Sequence, residues 1–307
     1  MKVSIIGGGG RVGSNAAFAL LLGNIVKEIV IHDMNEEMAQ GEALDLLHGT
    51  AFASPQRIYA GGYDAVKDSD CVIITAGLRR RPDESRLELI NRNVQLFRDI
   101  LKNLKGISLP AHAKILVVSN PVDILTHIAV RESGLPVNQV FGLGTVLDTC
   151  RFRSLLAEHF KVAATDIKAM ILGEHGDTMV PIWSSATING IPLRSLPGFS
   201  QEIANEIFEA TKKSGAEVIR LKGGAGWAVG ISIKTVVEAI ALNRESVLPV
   251  SCLQTGALGI RDVCLSLPTI VGEKGVHSIL EPDLDKQELD GLYKSEAALK
   301  EVWQKVA

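Results

Sequence analysis

Lys2-Val3-Ser4-Ile5-Ile6-Gly7-Gly8-Gly9-Gly10-Arg11-Val12-Gly13 is the stretch that decides the fold. Residues 2 to 6 read as a buried strand, and the apolar run from Ala16 to Leu22 reads as a helix stopped by Gly23-Asn24. Between them the glycines allow a tight turn. They also let backbone N–H groups approach a pyrophosphate at the positive end of a helix. The pattern G-x-G-x-x-G falls on Gly8, Gly10 and Gly13; with one residue inserted, Gly7 supplies the first turn instead. A second strand, Glu28 to His32, ends at Asp33, 20 residues after Gly13. A carboxylate there accepts hydrogen bonds from an adenosine ribose and repels a 2′-phosphate, which favours NAD over NADP. The plainer alternative is an acidic residue that starts a surface turn before Asn35, a helix N-cap.

Outward from this unit, strand and helix patterns alternate. Residues 36 to 48 read as a helix closing at Gly49, and further strands are expected at 57–60, 69–75 and 114–119. A long helical face carries Ile90, Val94, Phe97, Leu101 and Leu104. Such alternation implies a parallel sheet. Later come a helix over 201–221, a break at Lys222-Gly223-Gly224-Ala225-Gly226 and an apolar helix from Trp227 to Leu242. Strands are expected at 247–252 and 262–266, and Asp285 caps a last helix. Trp183, Trp227 and Trp303 read as core or subunit contacts.

Three loops carry chemistry. Ala76 to Arg86 holds four arginines, Arg79, Arg80, Arg81 and Arg86, within eight residues. This reads either as a solvated basic loop or as a lid that brings guanidinium groups to an anionic substrate. Ser85 and Glu88 have capping-box spacing, so Arg86 falls in the first turn of the next helix, where a cation is unfavourable without an anionic partner. Ser119-Asn120-Pro121-Val122-Asp123 puts an asparagine at a strand's carboxyl end, where open α/β sheets bind ligands; a turn asparagine before proline is the alternative. Gly173-Glu174-His175-Gly176-Asp177-Thr178 follows the apolar run Ala169 to Leu172 and places a proton-transfer side chain between glycines. A tight turn with a solvated histidine is the alternative. A zincin site is disfavoured, because Met179 stands where the second histidine belongs. Asp148 and Arg151, three apart, share a helix face and read by themselves as a local ion pair.

The bulk numbers exclude several classes. The chain has 307 residues, enough for two domains, and a formal net charge of −3 that gives no basic character for nucleic acid. Cys71, Cys150, Cys252 and Cys264 form no C-x-x-C, which points to a reducing, cytoplasmic location and to no metal. No apolar run has transmembrane length, so no membrane is expected.

In order along the chain, the glycine loop, Asp33, Ser85-Arg86-Leu87, Ser119-Asn120-Pro121-Val122, Leu147-Asp148-Thr149-Cys150-Arg151-Phe152-Arg153 and Gly173-Glu174-His175-Gly176-Asp177 resemble the lactate/malate dehydrogenase family. The likeness spans essentially the whole chain, and it implies an α/β fold. An N-terminal Rossmann domain, a doubly wound parallel sheet over 1–144, precedes a C-terminal α+β catalytic domain over 145–307. It implies that His175 protonates the ketone oxygen while NADH delivers hydride to C2, with Asp148 orienting the imidazole. Arg151 would bind the C1 carboxylate, and Arg86, delivered by the loop, would polarise the ketone. Asn120 would bond near the reacting oxygen and the nicotinamide. Gly7, Gly8, Gly10, Gly13, Asp33, Asn93, Val118 and Asn120 would hold the cofactor. A cis Asn120–Pro121 bond and a homo-oligomer, a tetramer or a dimer, also follow from the resemblance.

The position that separates the family's substrates falls on Arg80, six residues before Arg86, where lactate enzymes have glutamine and malate enzymes arginine. Ala225, where lactate enzymes usually carry threonine, also leans to malate; Glu84, typical of lactate-type lids, and Asp83, in place of a glycine, lean away. The expectation is therefore a malate dehydrogenase of the tricarboxylic acid cycle, closest to the lactate-dehydrogenase-like malate enzymes, with L-lactate dehydrogenase as the alternative. Arg153 matches an arginine that binds a regulatory sugar bisphosphate in some bacterial lactate enzymes, but Lys168 replaces the histidine, and a structural pair is expected. NAD-dependent glycosidases have a related fold but need a metal with cysteine and histidine ligands, and no such pair is present. A non-catalytic NAD-binding protein is the remote alternative, opposed by the retention of both His175 and Asp148.

Overall fold

The computed structural model describes residues 1–79, 81 and 83–306, with the side chain of Arg86 also outside the description. Six parallel strands form the first half: β1 (Lys2–Ile6), β2 (Glu28–His32), β3 (Arg57–Ala60), β4 (Cys71–Ile74), β5 (Lys114–Val117) and β6 (Val140–Gly142). They are joined by α1 (Arg11–Gly23), α2 (Glu36–Gly49), α3 (Tyr63–Val66), α4 (Arg86–Gly106) and α5 (Val122–Glu132). The strands lie in the order 6-5-4-1-2-3, so the direction of winding reverses between β1 and β4. Such a reversal opens a crevice at the strands' carboxyl ends. β4, an all-apolar run, is buried on both faces under helices above and below, and so is β5 along its whole length, Lys114 included.

The second half contains α6 (Val146–Phe160) and an antiparallel sheet of β7 (Ile167–Leu172), β8 (Val180–Ile188) and β9 (Ile191–Pro192). Then come α7 (Gln201–Lys222), α8 (Trp227–Ala241), β10 (Ser246–Leu248), β11 (Ser251–Thr255), β12 (Arg261–Ser266), β13 (Thr269–Gly272), β14 (Gly275–Ile279) and α9 (Lys286–Val306). The run expected as one strand at 247–252 is two strands in two sheets: β10 pairs with β13, while β11 joins β6 and β12. Pro249 lies between them and donates no ladder hydrogen bond. With β11 and β12 the large sheet has eight strands.

Three apolar cores result. One lies between the sheet and α1, α2 and α8, around Leu20, Ile31 and Val236. A second lies on the opposite face under α4, α5 and α9, around Phe97, Leu125 and Leu292. The helical face read from sequence is the one buried, since Val94, Phe97, Leu101 and Leu104 are each at most 4 % exposed. The third core packs α6 and α7 on β7 and β8, with Phe152 edge-on to Trp183 at 4.9 Å between ring centroids. Trp183 is core, Trp303 stacks on His127, and Trp227 is 64 % exposed.

Candidate active site

The crevice is built first from the glycine turn. Gly7 has φ +84°, a left-handed conformation that a side chain would strain. A Cβ on Gly13 would sit 2.5 Å from the Gly7 carbonyl oxygen, so the turn can close only without one. α1 then follows Gly10, its N-cap, with no side-chain cap and no acidic residue in its first turn. Its first N–H groups and the positive end of its dipole are therefore suited to a phosphate. Asp33, just past β2, accepts the Gly9 N–H at 3.1 Å and the Asn35 N–H at 3.0 Å, fixing its carboxylate beside the turn. These features fit a dinucleotide.

Proton chemistry is assembled from α5, α6, α9 and the loop between β7 and β8. Asp148, in the first turn of α6, is 1 % exposed and accepts from His175 Nδ1 at 2.5 Å and from Arg151 Nη1 at 2.9 Å. Because Nδ1 is committed, Nε2 is the nitrogen left for a ligand. Burial by itself would raise the Asp148 pKa, but the charges and hydrogen bonds of His175 and Arg151 hold it below the usual carboxylate value. Burial would likewise lower the His175 pKa, yet Asp148, and behind it Asp123, raise it above 6.5 against the opposing charge of Arg151. The imidazole side chain keeps 22 % of its surface exposed, so it is a supported acid that a small ligand can reach.

The histidine's loop is held from several sides. Gly173 exchanges backbone hydrogen bonds with Ser266 of β12, at 2.9 and 3.0 Å. Ser295 of α9 accepts the Glu174 N–H at 3.2 Å and donates to the Thr178 carbonyl at 2.5 Å. Asp123 of α5 accepts the His175 N–H at 2.8 Å. Neither Ser295 nor Asp123 was given a role from sequence. An acid in a helix's first turn reads only as a complement to the helix dipole, and a serine in a late helix carries no motif.

On the other rim, Ser119 donates to the Ala76 carbonyl at 2.5 Å, and the Asn120–Pro121 bond is cis, as the resemblance implied. Asn120 is exposed and its amide oxygen accepts the Val122 N–H at 3.2 Å; Val118 packs at the edge of the first core. Asn93, expected on the cofactor, is 4 % exposed; its amide oxygen takes the Leu78 N–H at 2.7 Å, and its NH2 reaches the Leu89 carbonyl at 3.0 Å. Its amide is thus engaged by the start of the arginine loop. The capping box at Ser85 and Glu88 is present, so α4 begins at Arg86 as read. Arg80 and the Arg86 side chain lie outside the described residues. Glu84 is nearly buried, accepting the Arg81 N–H at 3.0 Å and Arg92 Nη1 at 2.5 Å. Arg153 and Lys168 each spend a donor on a nearby carbonyl, of Ala169 and Thr165 respectively.

A dinucleotide turn and a buried histidine–aspartate pair with an adjoining arginine, in one fold, fit a nucleotide-dependent oxidoreductase of small carbonyl acids. Known proteins resolve this further. Residues 1–142 match the lactate/malate dehydrogenase NAD-binding domain and residues 145–307 the lactate/malate dehydrogenase alpha/beta C-terminal domain. The chain belongs to the lactate/malate dehydrogenase family, a family of NAD-dependent 2-hydroxy-acid dehydrogenases. It is 44% identical over 306 residues to an L-lactate dehydrogenase of Acetivibrio thermocellus, covering 98% of this chain and 96% of that one. It is 43% identical over 305 residues to L-lactate dehydrogenase 1 of Clostridium acetobutylicum, with the same coverage. The structure of the minor L-lactate dehydrogenase from Enterococcus mundtii superposes with a TM-score of 0.96 at 36% identity, over 100% of this chain and 98% of that one.

These similarities overturn the substrate expectation drawn from Arg80 and Ala225. The named relatives are L-lactate dehydrogenases, so the malate assignment and its place in the tricarboxylic acid cycle are set aside. The physical weakness of that expectation was its basis in two side chains, one of them a single charge in an arginine-rich loop. Glu84, the lactate-type feature of the same loop, is tied into the fold through Arg92 and the Arg81 main chain.

Proposed function

We propose that the chain is an L-lactate dehydrogenase, interconverting pyruvate and L-lactate with NAD. The observation that carries the chemistry is the His175–Asp148–Arg151 cluster; the lactate names of its relatives and the anchored Glu84 support the substrate. Bound NADH supplies the hydride that reaches C2. The His175 imidazolium gives its Nε2 proton to the carbonyl oxygen as the C=O pair collapses onto it, so one hydride and one proton are added. In the reverse direction neutral His175 takes the hydroxyl proton. Asp148 stabilises the charged ring and fixes its tautomer. Arg151 shares one Nη1–H with Asp148 and presents its remaining N–H groups to the C1 carboxylate. Arg86 polarises the ketone and Asn120 bonds near the reacting oxygen, both by family resemblance. Gly7, Gly8, Gly10, Gly13, Asp33, Asn93, Val118 and Asn120 form the cofactor wall, and Asn93 also anchors the start of the arginine loop.

The assembly belongs to the same proposal. Phe52, 99 % exposed, together with Trp227, Ile231 and Leu47, leaves apolar side chains on α2, α8 and nearby turns; such surfaces support a homo-oligomer, which light scattering tests. The four cysteines are free thiols, which supports a cytoplasmic location. No described helix is long and apolar enough to cross a membrane.

The deciding experiment is NADH oxidation with pyruvate and with oxaloacetate, side by side. A higher kcat/KM for pyruvate is expected. A ratio favouring oxaloacetate overturns the lactate reading, and no turnover of either acid overturns the enzyme reading.

A further inference from the structure

His175 faces two carboxylates, and only Asp148 has a role so far. Asp123 is the second residue of α5, 3 % exposed, with Oδ2 on the His175 main-chain N–H at 2.8 Å. Its Oδ1 is buried with no hydrogen-bond partner among the described residues. The hydroxyl of Ser251, on β11, faces it without a hydrogen bond of normal geometry and is itself buried and unpartnered. Glu174 faces it from the histidine's own loop, and Cys264 from β12, a thiol that burial keeps protonated. Arg131, on α5, acts on Cys264 in turn. Asp148 and Arg151 reach the imidazole from α6.

A buried carboxylate with one unsatisfied oxygen is an expensive way to hold one N–H, because leaving a charged group half-paired costs far more than leaving an amide so. An asparagine oxygen would accept the same hydrogen bond. What the carboxylate adds is charge, and the cation it faces is the His175 imidazolium. We propose that Asp123 is a second positioning carboxylate for the acid/base histidine. It holds the His175 main chain from α5, and its charge supports the imidazolium from the backbone side while Asp148 supports it at Nδ1. This rests on the reading of His175 as proton donor.

The support is conditional. Burial pushes the Asp123 pKa up to about 6, against the Ser251 hydroxyl, the His175 N–H and the imidazolium charge. Above that pH Asp123 is charged and favours the protonated ring; below it the support is withdrawn, although the ring is then protonated on its own account. The consequence falls on the alkaline side: Asp123 extends the range in which His175 carries its proton and pyruvate can be reduced.

The test is the pH profile of kcat/KM for pyruvate reduction in Asp123→Asn. That variant keeps the shape and an oxygen for the His175 N–H while removing the charge. Its alkaline limb is expected to move down by at least about half a pH unit, with NADH binding unchanged. A uniform loss at every pH with the limb unmoved, or a wild-type profile, overturns the proposal. If Asp123→Asn does not fold, Asp123→Ser serves: it removes the charge at the same position with a smaller side chain and should move the limb the same way. An unmoved limb there also overturns the proposal. His175→Asn, run alongside, separates the two failures. Surviving activity in it would refute the role of His175, whereas an inactive His175→Asn with an unmoved Asp123→Asn limb would refute only the inference.

Discussion

Two loops meet the crevice at the carboxyl ends of their strands, and they are built differently. The loop after β7 carries His175 and is fixed by Asp148 of α6, Asp123 of α5, Ser295 of α9 and Ser266 of β12. The loop after β4 carries the arginines and is fixed near its ends, by Asn93 at Leu78, by Arg92 at Glu84 and by the Ser85 cap; Arg79 and Arg81 are exposed. The proton donor is thus set in the interior before substrate arrives, whereas Arg79 and Arg81 of the arginine loop stand on the surface. An interior geometry tolerates little change and suits the step all members of a family share. A surface loop can change a side chain at small cost to the fold, and it is where substrate choice can vary.

The comparison is broken most directly at His175. His175→Asn should lower kcat for pyruvate by on the order of 10³ to 10⁴-fold. NADH binding, followed by fluorescence titration, should stay near wild type, because the nucleotide turn shares no residue with the histidine loop. A mutant that kept its rate would show that the rigid loop is not the chemical one.

Asp148→Asn sharpens the same point by charge. His175 is held above its ordinary 6.5 mainly by Asp148. The protonated ring therefore persists at higher pH in the wild type, and pyruvate reduction should fall along an alkaline limb above 6.5. Without that charge the limb should move down, and the rate at neutral to alkaline pH should drop by on the order of 10²-fold. The same linkage governs stability. The stabilisation that the pair gives through the raised histidine pKa is complete below 6.5 and is lost as pH rises through the folded value. The gap between thermal melts of wild type and mutant should narrow as pH rises through that limb, down to the share that Arg151 contributes; a constant gap would mean that the histidine pair is not ionic.

These two regions also explain what was legible in the sequence. The sheet could be read because doubly covered strands such as Ile73-Ile74 and Ile115-Leu116-Val117 are unbroken apolar runs with glycine or asparagine turns after them. His175, Asp148 and Arg151 could be read because their local motifs survive in order, although only the fold brings α6 and the β7–β8 loop within 2.5 Å. Asp123 was quoted in its motif and passed over, since nothing local separates an ordinary first-turn acid from one buried against another loop. Asn93 was placed on the cofactor by resemblance; its amide also ties the Leu78 main chain, a contact that no local pattern announces. The substrate was misread from Arg80 and Ala225 because two positions carry little information beside a likeness running through the whole chain.

Asp33 gives a smaller effect, on the nucleotide side. Its carboxylate also holds Gly9 and Asn35, so Asp33→Asn is the appropriate change, removing charge while keeping an acceptor. The preference for NADH over NADPH should narrow by about fivefold to tenfold as repulsion of the 2′-phosphate is relieved. An unchanged ratio of the two kcat/KM values would show that the ribose is read elsewhere.

The smallest expected effect is at Arg92, and it asks how far the arginine loop depends on its anchor. Arg92 Nη1 reaches Glu84 at 2.5 Å from the second turn of α4, while the other oxygen of Glu84 accepts the Arg81 N–H. Glu84 is held below the ordinary carboxylate value first by that backbone hydrogen bond and then by Arg92, so it is charged at neutral pH. Arg92→Gln keeps a donor but removes the opposite charge, and the loop should spend less time in the arrangement that meets substrate. That loss falls on binding rather than on the proton donor, which is fixed elsewhere. KM for pyruvate should therefore rise by roughly two- to fivefold with kcat changed less, in keeping with a partly screened ion pair. Raising the ionic strength of the wild type should move it toward the mutant, because salt weakens the same contact. A fall in kcat as large as the fall in kcat/KM would mean that the anchor acts in the chemical step, and the division of labour between the two loops would then be wrong.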